Sequence, residues 1–159
     1  MPVEVVRYGL VPDSGGPGRN RGGMAFIREF RFHQETSFNL RGDRRDHPPY
    51  GIEGGGTGAP SAHILVSPDG TECLLPTMPM RAFTAKAGDV FRLVGAGGGG
   101  YGAPFERDQA RVLADVVEEK VTVGGAARDY GVVVDPTTFT INEAATRALR
   151  SGAIKKAAE

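Results

Sequence analysis

Asp13-Ser14-Gly15-Gly16-Pro17-Gly18-Arg19-Asn20-Arg21-Gly22-Gly23 packs five glycines, one proline, two arginines and one carboxylate into a single loop. So many glycines permit backbone paths and close approaches that side chains forbid. The loop follows an alternating segment, Val3 to Tyr8 (VEVVRY), which reads as a strand ended by Pro12. Two later stretches echo it, Gly51 to Pro60 (GIEGGGTGAP) and Gly95 to Pro104 (GAGGGGYGAP). These loops hold a ligand, expose a nucleophile, or fold the chain, and the remainder of the sequence is weighed against those three uses.

Working outward, Met24 to His33 (MAFIREFRFH) is the clearest strand. Phe26, Arg28, Phe30 and Phe32 share one parity, and three aromatics on one face mark a buried side. A short strand follows at Ser37 to Leu40. Residues 41–60 are irregular and carry Arg41, Asp43, Arg44, Arg45, Asp46 and His47; a loop of this length is usually functional or packed on something else. Ala62 to Val66 and Thr71 to Leu75 flank Ser67-Pro68-Asp69-Gly70, a turn with proline to fix φ and glycine to supply positive φ. That reads as a β-hairpin. Met80 to Ala85 and Asp89 to Val94 read as a second strand pair around Lys86-Ala87-Gly88.

After the third glycine loop the pattern becomes helical. Asp108 caps a helix to about Glu119, with Val112, Leu113, Val116 and Val117 on one face. Thr122 caps a second helix ended by Gly131, Val132 to Val134 is a brief strand, and Asn142 caps a third helix to about Ser151. Helices that follow strands, without alternating, predict an α+β, β-rich fold with antiparallel or mixed sheets, Gly-rich crossovers and two or three C-terminal helices. The expected division is a β-rich region over 1–105, a helical region over 106–152 and a frayed tail over 153–159.

The totals exclude several classes. With 159 residues the chain is expected to be one domain and is long enough for one real core. Its 24 glycines have no G-X-Y period, which excludes collagen. A formal net charge of zero gives no footprint for nucleic acid. Fifteen arginines against four lysines favour bidentate carboxylate or phosphate contacts, although a high-GC genome produces the same bias. The single cysteine, Cys73, excludes an internal disulfide and reads as a small buried hydrophobe, not a nucleophile. No leader pattern precedes the first strand and no apolar run approaches a membrane span, so the cytoplasm is the expected compartment, with no membrane partner.

Three motifs invite chemistry. Asp13-Ser14-Gly15-Gly16-Pro17 looks like a serine-protease nucleophile loop, but the residue that should donate an oxyanion-hole N–H is Pro12, which has none. Gly95 to Gly100 satisfies G-x-G-x-x-G after a strand. That strand is half-exposed by Asp89 and Arg92, and Pro104 delays the helix, so a tight backbone crossing is preferred to a dinucleotide site. Gly18 to Gly23 could cradle an anion with Arg19 and Arg21, or those arginines pair with a carboxylate such as Asp13 or one on a partner chain. His33, His47 and His63 lack ligand-like spacing, and His47 is the most interesting because it lies in the charged 41–47 segment.

Taken together, the segments resemble the C-terminal part of the hydantoinase B/5-oxoprolinase family. The resemblance rests on PVEVVRYGLVPDSGGPGRNRGGMAFIREFRF, DRRDHPPYGIEGGGTGAP, the SPDGTE hairpin and KAGDVFRLVGAGGGGYGAPFERDQARVLADVVEEKVTVGGAARDYGVVVD, in that order. Where the family often has an aspartate before the proline that follows the third glycine loop, this chain has Ala103. The resemblance implies an ATP-dependent enzyme acting on cyclic amides (hydantoins, 5-oxoproline, lactams) or, as in acetone and acetophenone carboxylases, on ketones. In that logic ATP phosphorylates a carbonyl or enol oxygen for hydrolysis or carboxylation.

The resemblance further implies larger A-type and B-type partner subunits. The A-type chain carries the nucleotide site, and the B-type chain much of the substrate and metal environment. ATP and a divalent metal are therefore expected in partners, with no cofactor, catalytic residue or metal ligand assigned to this chain. The chain is expected to be a split small subunit or a fragment, not catalytic alone. Asp13, Ser14, Arg19, Arg21, Asp43, Arg44 and His47 are the candidate substrate, anion or interface residues. Gly15, Gly16, Gly18, Gly22, Gly23, Gly54, Gly55, Gly97, Gly98, Gly99 and Gly100 are candidate structural loop positions. A stand-alone anion-binding module and a structural interaction domain remain the alternatives.

Overall fold

A computed structural model describes residues 3–157, with side chains described through Gly152. Five antiparallel strands form the main sheet in the order β1-β2-β7-β4-β5: β1 Val3–Leu10, β2 Phe26–Phe32, β4 Ala62–Val66, β5 Glu72–Leu74 and β7 Val90–Val94. A two-stranded sheet pairs β3 Thr36–Phe38 with β6 Phe83–Ala85. A single 3-10 turn at Pro104–Glu106 leads to α1 Gln109–Val117, α2 Val123–Tyr130 and α3 Glu143–Ala157. The α+β order expected from the sequence is the order observed.

The glycine loops are the joint of the fold. Their three segments lie side by side and exchange backbone hydrogen bonds: Gly16 N to Gly98 O, Gly98 N to Gly23 O, Gly56 N to Pro17 O and Gly100 N to Gly56 O, all between 2.6 and 2.9 Å. Tyr101 bridges Asn20 antiparallel and Ile52 parallel. The backbones are so close that a Cβ on Gly97 would overlap the Ser14 carbonyl, and one on Gly22 the Gly98 carbonyl. Only glycine fits such an axis, for the steric reason that it occupies the centre of a collagen triple helix.

Two cores flank this joint. Phe32, Leu40, Leu75, Ala85 and Phe91 pack beneath the small sheet. There the Phe38 ring lies 5.5 Å from Phe32 and 5.1 Å from Phe91. Val112, Val116, Val121, Ala126, Tyr130, Val132 and Val134 form the helical core. Each valine, leucine or phenylalanine among them, fully buried, contributes about 1.5–3 kcal/mol from apolar transfer. The helix starts follow the sequence. Asp108 accepts from the Arg111 amide, Thr122 from Gly125, and Asn142 from Ala145. Gly131 ends α2 at φ 62°, a left-handed position suited to glycine.

Several details differ from the sequence reading. The strands around Lys86-Ala87-Gly88 do not pair with each other: β6 pairs with β3, while β7 runs between β2 and β4. Period-two patterning marks a strand but carries no information about its neighbour. The aromatic face of β2 is buried at Phe32 only, and Phe26 is 37% exposed because the small sheet covers just one end of that face. Cys73 is exposed on the edge strand β5, whose described residues are all exposed. α3 carries its helical backbone on to Ala157, through most of the expected tail, and Val132–Val134 is reduced to one bridge, Val134 to Ile141.

Candidate functional site

The candidate residues of the first loop turn inward. Ser14 is buried; its hydroxyl donates to the Val11 carbonyl at 2.5 Å and accepts from the Ala25 amide at 2.8 Å. Both capacities are spent on holding β1 to the residue before β2. Asp13 takes a left-handed backbone at φ 58° and reaches the start of α2. Its carboxylate accepts from the Thr122 amide at 2.8 Å and the Thr122 hydroxyl at 2.6 Å. It thus orders the residue that caps the helix, and its charge sits at the positive end of the helix dipole.

Arg21 is committed to a carboxylate other than Asp13. Its Nε and Nη2 donate to the two oxygens of Asp115 on α1, and Nη1 to the Gly22 carbonyl. Arg107 meets the same carboxylate at 2.8 Å and donates to the Arg19 carbonyl at 3.0 Å. Beside them, burial pushes the Tyr130 phenol up to about 12, against the pull of Arg107 and Arg21. Arg19 instead faces solvent, 3.7 Å from Glu106 and 6.0 Å from the Tyr101 ring centre.

Many loop amides already donate to carbonyls of neighbouring segments, among them those of Gly16, Gly56, Gly97, Gly98 and Gly100. A phosphate cradle needs such amides free and convergent, so these loops do not fit a nucleotide phosphate. Among the described residues no cluster of three or more His, Cys, Asp or Glu side chains has the arrangement of a metal site.

The irregular 39–47 segment is different. It is tied to the 77–80 segment by the Gly42 amide donating to the Thr77 carbonyl at 2.8 Å, and to β4 by the Ser61 hydroxyl on the Asp43 carbonyl. Asn39, Leu40, Arg41, Met78, Pro79 and Met80 line a cavity of about 690 Å³. Asp43, Arg44 and His47 come together around an adjoining cavity of about 390 Å³. Arg44 turns the chain there at φ 60°. Three of the seven candidates are thereby gathered on one face, while Asp13, Ser14 and Arg21 belong to the joint.

A residue passed over by spacing arguments lies beneath this face. His63 on β4 is 3% exposed and stacks on Phe91 at 6.3 Å. Its Nδ1 has no hydrogen-bond partner among the described residues. Burial, then the Arg45 charge, holds the imidazole below its ordinary range, so it is neutral at pH 7. Its signal was present in Ala62-His63-Ile64-Leu65-Val66, as one polar side chain on the inward parity of an apolar strand. The buried serines, Ser14 and Ser61, have their hydroxyls engaged by backbone carbonyls.

Comparison with known proteins places this geometry. Residues 1–104 match the family described as Hydantoinase B/oxoprolinase. The caprolactamase subunit beta of Pseudomonas jessenii is 36% identical over 162 residues, covering 94% of this chain and 26% of that protein. An uncharacterised protein of Methanocaldococcus jannaschii is 32% identical over 151 residues, with the same coverages. The crystal structure of the ATP-dependent caprolactamase from Pseudomonas jessenii superposes with a TM-score of 0.79 at 32% identity, over 95% of this chain and 26% of that one. A nucleotide-free acetone carboxylase shares the fold, with a TM-score of 0.81 at 20% identity.

The chain belongs to the hydantoinase B/oxoprolinase family. It spans about a quarter of the length of three curated relatives it matches, two of which are named as subunits, and 8% of the 5-oxoprolinases of Arabidopsis thaliana and Saccharomyces cerevisiae. No described helix is long and apolar enough to cross a membrane.

Proposed function

We infer that the chain works as a component of an ATP-dependent cyclic-amide hydrolase or ketone carboxylase, completing a B-type unit whose larger part lies in other chains. The observation that carries this reading is the incomplete cover of the main sheet. Val5, Tyr8 and Leu10 on β1 are 59%, 66% and 57% exposed, and Phe26 beside Leu10 is 37% exposed. They continue the face that, a few residues away, forms the core under β3 and β6. Arg28 lies over the Tyr8 and Phe26 rings at 4.6 and 5.3 Å, and an exposed, largely apolar strip with an arginine in it marks an interaction surface. Tyr50, Ile52 and Tyr101 add exposed apolar surface at the rim of the glycine joint. Similarity to a lactam-opening ATP-dependent enzyme supports the chemistry: phosphorylating the amide oxygen makes the ring carbon open to water. Nucleotide and metal are assigned to the partner chains.

The test is affinity purification from the native host at endogenous expression, followed by ATP hydrolysis assays with and without lactams, hydantoins and ketones. Co-elution of two larger chains with substrate-dependent ATPase is expected. Tyr8→Asp with Leu10→Asp should release the small chain while leaving it folded. Elution as a lone monomer, with no larger chain in any preparation, overturns the reading.

A further inference from the structure

The cleft above His63 shares only Phe26 with the strip assigned to assembly. Phe26, Arg41, Gly42, Asp43, Ser61, His63, Leu93, Gly95 and Ala96 enclose about 300 Å³, the lower end of ligand-site volumes. Three of these side chains, His63, Arg41 and Asp43, lack a partner among the described residues. The buried Nδ1 of His63 is unsatisfied, which a native interior rarely tolerates without a ligand or water. Arg41 has no side-chain hydrogen bond or ion pair among the described residues, and it lines the 690 Å³ cavity as well as this one. Ser61 and the neighbouring Arg45 are occupied. Ser61 donates to the Asp43 carbonyl, and Arg45 is held by the Leu75 carbonyl at 2.8 Å and Asp46 at 3.4 Å.

We propose that this cleft binds a small monocarboxylate, one oxygen taking the Arg41 guanidinium and the other the Nδ1–H of His63. The guanidinium supplies the charge-assisted donor that carboxylates favour, and the neutral imidazole supplies a second without adding charge. Asp43 at the rim opposes a second negative charge and so selects a monoanion over a phosphate dianion. Phe26 and Leu93 provide an apolar wall for the carbon chain, which favours propionate and butyrate over formate.

The proposal does not depend on partner chains and is tested on the 159-residue chain itself. Long-range ¹H–¹⁵N spectra of the histidine rings are recorded during titration with butyrate, butyramide and inorganic phosphate. Saturable movement of the His63 Nδ1 resonance with butyrate is expected, with a dissociation constant on the order of 1 mM for so small a ligand. Arg41→Gln, a change at an exposed side chain, should weaken it at least about tenfold, the scale of one lost charge-assisted bond. No saturable shift, equal response to butyramide or phosphate, or binding undiminished in Arg41→Gln each overturns the proposal.

Discussion

Arg21 and Asp115 lie 94 residues apart and close a two-pronged ion pair, Nε to Oδ2 and Nη2 to Oδ1, both at 3.2 Å. The pair fastens the first glycine loop to α1, and Arg107 joins it from the turn between. All three side chains are largely buried, with 14%, 8% and 10% exposure. Removing the carboxylate leaves two guanidiniums without their counter-charge. Asp115→Ala is expected to cost about 3–5 kcal/mol in urea unfolding. Arg21→Met should cost less, because Asp115 keeps Arg107.

The glycine joint separates two substitutions that look alike in sequence. At Gly97 an added methyl strikes the Ser14 carbonyl, and neither backbone can yield without breaking the bonds between segments. At Gly23 the space is open within 4 Å. Gly97→Ala is expected to destabilise by about 3 kcal/mol or more, and Gly23→Ala to stay within about 1 kcal/mol of the parent. Paired thermal melts read the difference.

Asp13 predicts a local loss. Its two bonds to Thr122 hold the start of α2 against the loop. Asp13→Ala removes both and keeps an unfavourable left-handed backbone, for about 1–3 kcal/mol. Asp13→Gly relieves the backbone and should recover part of that cost. Amide exchange in Val123–Tyr130 should rise more than elsewhere.

His63 gives the chain an acid-sensitive point. Its folded pKa lies below the ordinary 6.5. The unfolded chain therefore binds the proton first, and stability rises with pH in this range. The His63 contribution is fully present above pH 6.5 and is lost as pH falls from 6.5 through the depressed folded value. His63→Phe, which keeps the ring stacked on Phe91, should flatten the fall in melting temperature between pH 7.5 and 5.5. An unchanged slope assigns the sensitivity elsewhere.

Much of the architecture was readable because its determinants are local. Asp108, Thr122, Asn142 and Gly131 announce the helix boundaries through caps that act within four residues. What could not be read was set by distant partners. The positions of β6 and β7 depend on which strand arrives beside them, not on their own alternation. Arg21 gave its chemistry but not its partner, since Asp115 is brought near only by the finished fold. His63 was hidden by a search for ligand spacing along the chain, whereas its interest arises from burial and an unpaired nitrogen.

The three glycine segments come from the beginning, the middle and the last third of the β-rich region, and the full set of bonds between them forms only when all three are present. The first two can pair with each other through Gly56 N to Pro17 O and Ala59 N to Ser14 O, but on a ribosome their bonds to the third wait until residues 95–102 have left the exit tunnel. Closing such long loops before any bond forms delays the reward for the entropy lost. Assembly of the joint is therefore a late event in the life of the nascent chain. Until then β1 and β2 form an unsupported hairpin with its apolar strip on display, the interval in which a chaperone or a waiting subunit would meet it first.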